Sequence, residues 1–186
     1  MTKILRLLAV LLTLGLFVAA GRPALAAGTD LENTLYLDVP AGRVVIQLRP
    51  DLAPVTVARI KELARRGFYD GLTFHRVIPG FMAQGGDPQG DGTGGSGHPL
   101  KAEFSSEPFV RGVVAMARAS DPDSADSQFF IMTAANPSLN GQYTIFGRVV
   151  SGMDYIDKLK AGTAENNGAV ENPDHIIRMQ VAADAK

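Results

Sequence analysis

Phe74-His75-Arg76-Val77-Ile78-Pro79-Gly80-Phe81-Met82-Ala83-Gln84 sets one arginine and one glutamine among large apolar residues, on either side of a Pro-Gly turn. Read as a strand, residues 74–78 alternate faces, so Phe74, Arg76 and Ile78 share one side while His75 and Val77 share the other. An arginine on an apolar face needs a partner, water or a ligand, because a desolvated and unpaired guanidinium is costly. From this pentad alone two readings stand: an arginine that snorkels from a barrel rim to solvent, and one that serves a site. The turn at Pro79-Gly80 returns Phe81, Met82 and Gln84 beside it, adding an apolar floor and an amide donor and acceptor. Such a site can hold a small apolar ring and grip adjacent carbonyls.

Toward the N-terminus, Val57, Ile60 and Ala64 line one face of a helix that opens near Pro54 and Asp51 and ends at Gly67, with Arg59, Glu62 and Arg66 as its solvated face. Before it, Leu35, Leu37 and Val39 alternate with Tyr36 and Asp38, and after the Pro40-Ala41-Gly42 turn Val44, Ile46 and Leu48 alternate with Val45 and Gln47, which is a β-hairpin. Toward the C-terminus a Gly-rich loop, 85–97, precedes apolar runs of strand character at 113–117, 129–132 and 144–150. A second helix is expected over 153–161, with Ser151 and Asp154 as a capping pair. A last strand carries Ile177, Met179 and Val181 on one face. Many short strands with two separated helices predict a closed antiparallel barrel or sandwich with helices at its ends. Neither a repeat nor a dividing linker interrupts the pattern.

Residues 1–26 read as a secretory signal peptide: Lys3 and Arg6, an apolar run over 7–20, then Ala24-Leu25-Ala26 as an A-x-A cleavage pattern. The run is shorter than the roughly 20 residues that span a bilayer, so a retained anchor is disfavoured, and with no cysteine the chain has no lipoprotein anchor. Residues 27–186 then form a single domain, expected as a monomer in the periplasm with no membrane partner after cleavage. The 18 Lys plus Arg stand against 19 Asp plus Glu, and loss of Lys3, Arg6 and Arg22 takes the balance to −4. A mildly acidic chain offers no electrostatic footprint for nucleic acid. The absence of cysteine also removes disulfides, thiol nucleophiles and thiolate metal sites.

Several motifs point away from other chemistries. Gly90-Asp91-Gly92-Thr93-Gly94-Gly95 fits G-x-G-x-x-G, but Asp87-Pro88 before it and Gly97-His98-Pro99 after it supply neither the strand nor the helix that a dinucleotide site needs. Asp121, Asp123 and Asp126 resemble half of a calcium loop, yet Ala125 and Asp126 stand where a ligand and a glycine belong, so a solvated acidic loop is expected. His75, His98 and His175 show no metal-ligand spacing. No G-x-S-x-G surrounds Ser127, which leaves a hydrolase unsupported. Ser127-Gln128-Phe129-Phe130-Ile131 repeats the amide-then-aromatic mixture of 74–84. With Arg76 and Gln84 it suggests a shallow apolar pocket ringed by amides and one cation, which suits a peptide's proline.

At these residues the chain resembles the cyclophilin-type peptidyl-prolyl cis-trans isomerases, in particular exported bacterial members. The similarity spans 33–181 and rests on 74–87 as a block, Gly92-Thr93-Gly94-Gly95, Met116-Ala117, 127–131 and Ile145-Phe146-Gly147. It implies a closed eight-stranded antiparallel barrel capped by two α-helices, with neither metal nor cofactor. It implies Arg76 as the catalytic arginine with Gln84 beside it, and Phe81, Met82, Phe130 and Leu139 as the proline pocket, with Tyr143 in its wall. Gln128 would be a polar substrate contact, and Gly92, Ala117, Arg118 and Ala119 the groove for the flanking peptide. The partners implied are proline-containing segments of unfolded or folding proteins. Ser138, Tyr143 and Arg118 stand where the best-known eukaryotic members carry tryptophan, histidine and asparagine, and the first implies weak cyclosporin binding. A proline-binding module or holdase chaperone without catalysis is the rival reading, which loss of Arg76 would have favoured. A hollow small-ligand barrel is disfavoured, because large inward residues fill a barrel of this size.

Overall fold

The structure is a computed structural model that describes residues 30–186. The expected signal peptide and its cleavage site lie outside the described residues. Among those described, no helix is long and apolar enough to cross a membrane.

The hairpin forms as its alternation requires. β1 (Thr34–Val39) pairs with β2 (Gly42–Leu48) from Thr34↔Gln47 to Val39↔Gly42, and Leu35, Leu37, Val39, Val44, Ile46 and Leu48 are all buried. α1 (Pro54–Arg65) buries Val57, Ile60, Leu63 and Ala64. Its N-terminus is served from a distance: Glu103 accepts from the backbone N–H of Val55 (3.0 Å) and Thr56 (2.8 Å), while Asp51 pairs with Arg49 instead. The helix's expected solvated face needs one correction. Arg59 is largely covered, donating to Glu62 and to the Ser96 hydroxyl of the Gly-rich loop, each at 2.8 Å.

The remaining strands are β3 (Arg76–Ile78), β4 (Met82–Gly85), β5 (Val113–Met116), β6 (Phe129–Met132), β7 (Ile145–Ser151) and β8 (Arg178–Val181). They make one eight-stranded sheet in the order β3-β4-β6-β5-β7-β2-β1-β8, antiparallel throughout. The sheet curls, since residues from strands near both ends, Val77 and Ala83 with Leu37, Met179 and Val181, meet in one core cluster. It is a half-barrel and not the closed barrel expected. β3 and β8 do not pair, and the chain between them supplies isolated contacts only: Val77 N–H to Gly168 O, Phe74 N–H to Asp174 O, Ile176 N–H to Leu72 O. Asn172 in a left-handed conformation (φ 49°) and Pro173 without an N–H interrupt any regular ladder there.

β5 and β6 read as unbroken apolar runs because both faces are covered. Phe129 and Ile131 enter the main core, whereas Phe130 and Met132 join a second cluster with Met82, Phe109, Val113, Ala115 and Ile145. Three further expectations change. Phe74 lies in the main core, edge-on to Phe129 at 6.2 Å, so the outward face of the central stretch begins at Arg76. α2 covers only Met153–Ile156, with Gly152 and no side chain at its N-cap. It stops because the chain turns to bury Leu159 and to hand the N–H of Lys160 to Asp174. Met179 and Val181 of β8 are buried as expected, but Ile177, just before the strand, faces solvent and its neighbour Ile176 takes the interior.

Candidate active site

Strand pairing assembles the site. Arg76 pairs with Gln84 across β3–β4, and Gln84 with Phe130 across β4–β6, so three neighbouring strands present cation, amide and aromatic in one row. The next row on the same face, Ile78, Met82 and Met132, also packs into the second cluster.

Arg76 is half-buried and held at three points. Its Nη1 donates to Gln84 Oε1 (3.2 Å), its Nε to the backbone oxygen of Asn167 (2.9 Å) and its Nη2 to Asn167 Oδ1 (3.0 Å). Burial pulls its pKa down, partly opposed by Tyr143, yet a guanidinium keeps its charge. The amide relay beyond it has one direction. Arg76 can only donate, so Gln84 turns Oε1 toward it and Nε2 toward Gln128 Oε1 (2.9 Å). Gln128 Nε2 then donates to the backbone oxygens of Gly92 (3.0 Å) and Gly94 (2.9 Å). A guanidinium carries five N–H groups, so two on Arg76 remain for a ligand.

The pocket in front is lined by Arg76, Phe81, Met82, Gln84, Ala117, Arg118, Phe130, Leu139 and Tyr143, with a volume of about 110 Å³. Sites for whole small molecules run from roughly 300 to 1,000 Å³; this one suits a single ring. Its back wall is aromatic. Phe130 stacks on Phe109 (6.1 Å between centroids, 21° between planes) and meets Tyr143 edge-on (5.6 Å, 89°). Leu139 arrives on the 3-10 turn Pro137–Leu139, capped by Asn136, whose side chain accepts from the N–H and hydroxyl of Ser138. Arg118 closes the outer side: its guanidinium lies 4.7 Å from the Tyr143 ring centroid and donates to the backbone oxygens of Gln142 (3.1 Å) and Ala119 (2.9 Å).

An adjoining groove of about 190 Å³ takes in Gly92, Ala119 and Gln128 together with Gln84, Ala117 and Arg118. All twelve site residues expected from the sequence therefore fall in these two connected depressions. The Gly-rich loop on its far side is organised by carboxylates. Buried Asp87 accepts from the backbone N–H groups of Gln89, Asp91 and Gly92 at 2.8, 3.1 and 2.6 Å. Asp126 accepts from the N–H groups of Ser96, Gly97 and His98 and from the Ser96 hydroxyl. Burial disfavours the Asp126 charge, but these donors outweigh it and hold its pKa below the usual value. Asp121 and Asp123 likewise cap backbone N–H groups, of Asp123 and Ala102. Asp121 and Asp123 are solvent-exposed, as expected of a solvated acidic loop, and half-buried Asp126 additionally ties the stretch to the Gly-rich loop. Ser127 is buried and donates to Gly86 O. Among the described residues no three of His, Asp and Glu cluster to hold a metal ion.

Two supporting residues escape sequence reasoning. Phe109 backs the pocket with no local signal. Asn167 precedes a glycine, and Asn-Gly marks a left-handed turn, but its bond to Arg76 spans 91 positions.

A curled antiparallel sheet here presents an arginine and two glutamines over a ring-sized aromatic pocket. The chain belongs to the cyclophilin-type peptidyl-prolyl cis-trans isomerase family: residues 34–181 match the family described as "Cyclophilin type peptidyl-prolyl cis-trans isomerase/CLD". It is 55% identical over 181 aligned residues to a probable peptidyl-prolyl cis-trans isomerase of Brucella suis, covering 91% of this chain and 92% of the relative. To peptidyl-prolyl cis-trans isomerase B of Bacillus subtilis it is 46% identical over 143 residues, 76% of this chain and 99% of that one. Among solved structures, cyclophilin AquaCyp293 from Hirschia baltica aligns with a TM-score of 0.75 at 28% identity, covering 84% of this chain and 76% of that chain. A cyclophilin-type isomerase of Cryptosporidium parvum, determined in the presence of the dipeptide Ala-Pro, aligns at 0.72 and 28% identity over 80% and 98%.

Proposed function

We propose that this chain accelerates rotation about Xaa-Pro peptide bonds, with Arg76 as the catalytic group. One observation carries the assignment: a guanidinium fixed by three hydrogen bonds keeps two N–H groups over a ring-sized apolar pocket. Family membership and the Ala-Pro dipeptide of the C. parvum relative support the substrate class.

The chemistry needs no bond making. Amide resonance sets a barrier of ~18 to 20 kcal/mol, and unaided prolyl rotation takes tens to hundreds of seconds. As the peptide twists, the proline nitrogen becomes pyramidal and its lone pair localises. A guanidinium N–H aimed there gains a hydrogen bond absent from the planar ground state, which is the condition for lowering a barrier. The pocket of Phe81, Met82, Phe130, Leu139 and Tyr143 grips the proline ring. The free N–H of Gln84 takes the neighbouring carbonyl, while Gly92, Ala117, Arg118, Ala119 and Gln128 line the path of the flanking peptide. The chain on the other side of the bond then turns.

The substrates proposed are proline-containing segments of exported proteins during folding, met in the periplasm. The charged start, apolar run and A-x-A pattern of residues 1–26 support export. A protease-coupled assay on an Ala-Pro tetrapeptide tests the activity: acceleration by the purified protein is expected, and peptide binding without acceleration would make this a proline-binding module. Fractionation of cells producing the full chain tests export, and a product confined to the cytoplasm at full length would refute it.

A further inference from the structure

Leaving α2, residues 162–169 run along the free edge of β3. Gly162 N–H donates to Val77 O (3.0 Å) and Val77 N–H to Gly168 O (2.8 Å), so the loop engages both backbone groups of the residue next to Arg76. The loop also closes on itself: Gly168 N–H to Thr163 O (2.8 Å), Thr163 N–H to Asn166 Oδ1 (3.0 Å), Asn166 Nδ2 to Ala169 O (2.8 Å). Its fit requires glycine twice. A Cβ on Gly162 would lie 2.2 Å from the Gly168 carbonyl carbon, and one on Gly168, already at φ 80°, would lie 2.4 Å from Ile78 Cγ1.

Between them Asn167 sits at φ 54°, a left-handed conformation that asparagine tolerates better than most residues. The conformation has a result: its backbone oxygen and its Oδ1 face the same way and meet Nε and Nη2, the two N–H groups along one side of the Arg76 guanidinium. Without these acceptors a long, rotamer-rich side chain is tethered at Gln84 Oε1 alone. The acceptor pair is also neutral, so it sets direction without neutralising the cation as a carboxylate would.

We propose that Asn167 is a positioning residue for the isomerase reaction, locking the guanidinium edge so that its remaining N–H groups meet the proline nitrogen of the twisted peptide. This rests on the catalytic reading of Arg76 above.

Asn167→Gly is the informative variant, because it deletes the Oδ1 acceptor while keeping the left-handed backbone and the backbone oxygen. Turnover of the Ala-Pro tetrapeptide should fall about tenfold, the scale of one hydrogen bond to a charged group, with peptide Kd changed less than about twofold and Tm by only a few degrees. Asn167→Asp keeps an acceptor but adds the charge that the native pair lacks, so it should hold the guanidinium as firmly as wild type while recovering only part of the turnover. In an Arg76→Ala background, Asn167→Gly should have no further effect on turnover, because residues acting through one another are not additive. Rotation of the Arg76 guanidinium about Nε–Cζ, followed by nitrogen NMR, should quicken in Asn167→Gly, a readout independent of activity. Unchanged rotation, full turnover in Asn167→Gly, or an equal loss in the Arg76→Ala background would each overturn the assignment. A wild-type protein that binds the peptide without turning it over would instead strike the isomerase reading, leaving the rotation measurement to decide whether Asn167 holds the arginine.

Discussion

Replacing Arg76 by alanine removes the group on which the proposed mechanism turns, and its setting in the structure scales the expected effect. Three of the five guanidinium N–H groups are bound to Gln84 and Asn167. The remaining two find no lone pair on the planar prolyl nitrogen and one on the twisted nitrogen. A hydrogen bond from a charged donor contributes about 1.5 to 3 kcal/mol, and the half-buried, directionally fixed setting of Arg76 argues for the upper end. Roughly 3 kcal/mol off the transition state is about 100-fold or more in kcat/KM. In the proposed site ground-state binding rests mainly on Phe81, Met82 and Phe130, which the substitution leaves in place, so peptide affinity should fall only about threefold. Stability should suffer little, since the exposed Asn167 and half-buried Gln84 can turn to water. The test pairs the protease-coupled assay with an NMR peptide titration on the same preparations. Equal losses of turnover and affinity would refute selective stabilisation of the twisted state. Arg76→Lys sharpens the point. A compact ammonium cannot meet Asn167 O, Asn167 Oδ1 and Gln84 Oε1 in a planar fork, so lysine should recover less than about tenfold, and full recovery would mean that charge alone suffices.

Phe130→Ala opens the wall between Phe109 and Tyr143; peptide affinity should fall about tenfold and stability by about 3 kcal/mol. Unchanged affinity in a titration would show that the proline ring binds elsewhere. Asp87→Ala leaves the N–H groups of Gln89, Asp91 and Gly92 without their buried acceptor, at a cost of about 2 to 3 kcal/mol in urea unfolding; a cost below about 0.5 kcal/mol would mean the carboxylate does not organise the loop. His75 is buried with neither ring nitrogen bonded, and desolvation pulls its pKa below 6.5 despite nearby Asp87 and Asp91, with Arg76 adding to the fall. The unfolded chain therefore binds this proton more readily, so the associated stability is complete above about pH 6.5 and declines as pH falls through that value toward the lower folded pKa. Unfolding at pH 7.5 and 5.0 should show a smaller difference for His75→Gln than for wild type, and identical differences would remove His75 as the cause.

How far the sequence could be read depended on where each partner lay. The β1–β2 hairpin was legible because its alternation is complete within fifteen residues and one face meets the core. Arg76, Gln84 and Phe130 were legible as a mixture, since polar groups amid apolar runs demand partners, and strand pairing puts them in one row. Barrel closure was not, because it hinges on Asn172 and Pro173, which break the ladder where β8 would have met β3. The second helix misled for a related reason: Leu159 fits a helical face in sequence but reaches the core through a turn. The acidic residues were hardest. Asp123 serves Ala102, Asp126 serves Ser96, and Glu103 caps α1, each across 21 to 48 positions that no local pattern records.

The placement of Arg76 on β3 suits the chemistry proposed for it. A terminal strand offers open space in front of its side chains, which a central strand beneath the second cluster could not, yet its free backbone groups would let it shift. The loop at 162–170 resolves the conflict by taking up the N–H and C=O of Val77 and the C=O of His75. The strand is thereby held like an interior one while Arg76 still faces the pocket. Through Gln84 and Gln128 the same guanidinium is linked to the carbonyls of Gly92 and Gly94, so the aromatic pocket and the adjoining groove share one hydrogen-bonded frame. Under the proposed mechanism, rigidity of that frame is what would make the arginine selective. A side chain free to follow the substrate would pair with a ground-state carbonyl and stabilise both states alike, whereas one held on two sides gains its bond only when the peptide twists into reach.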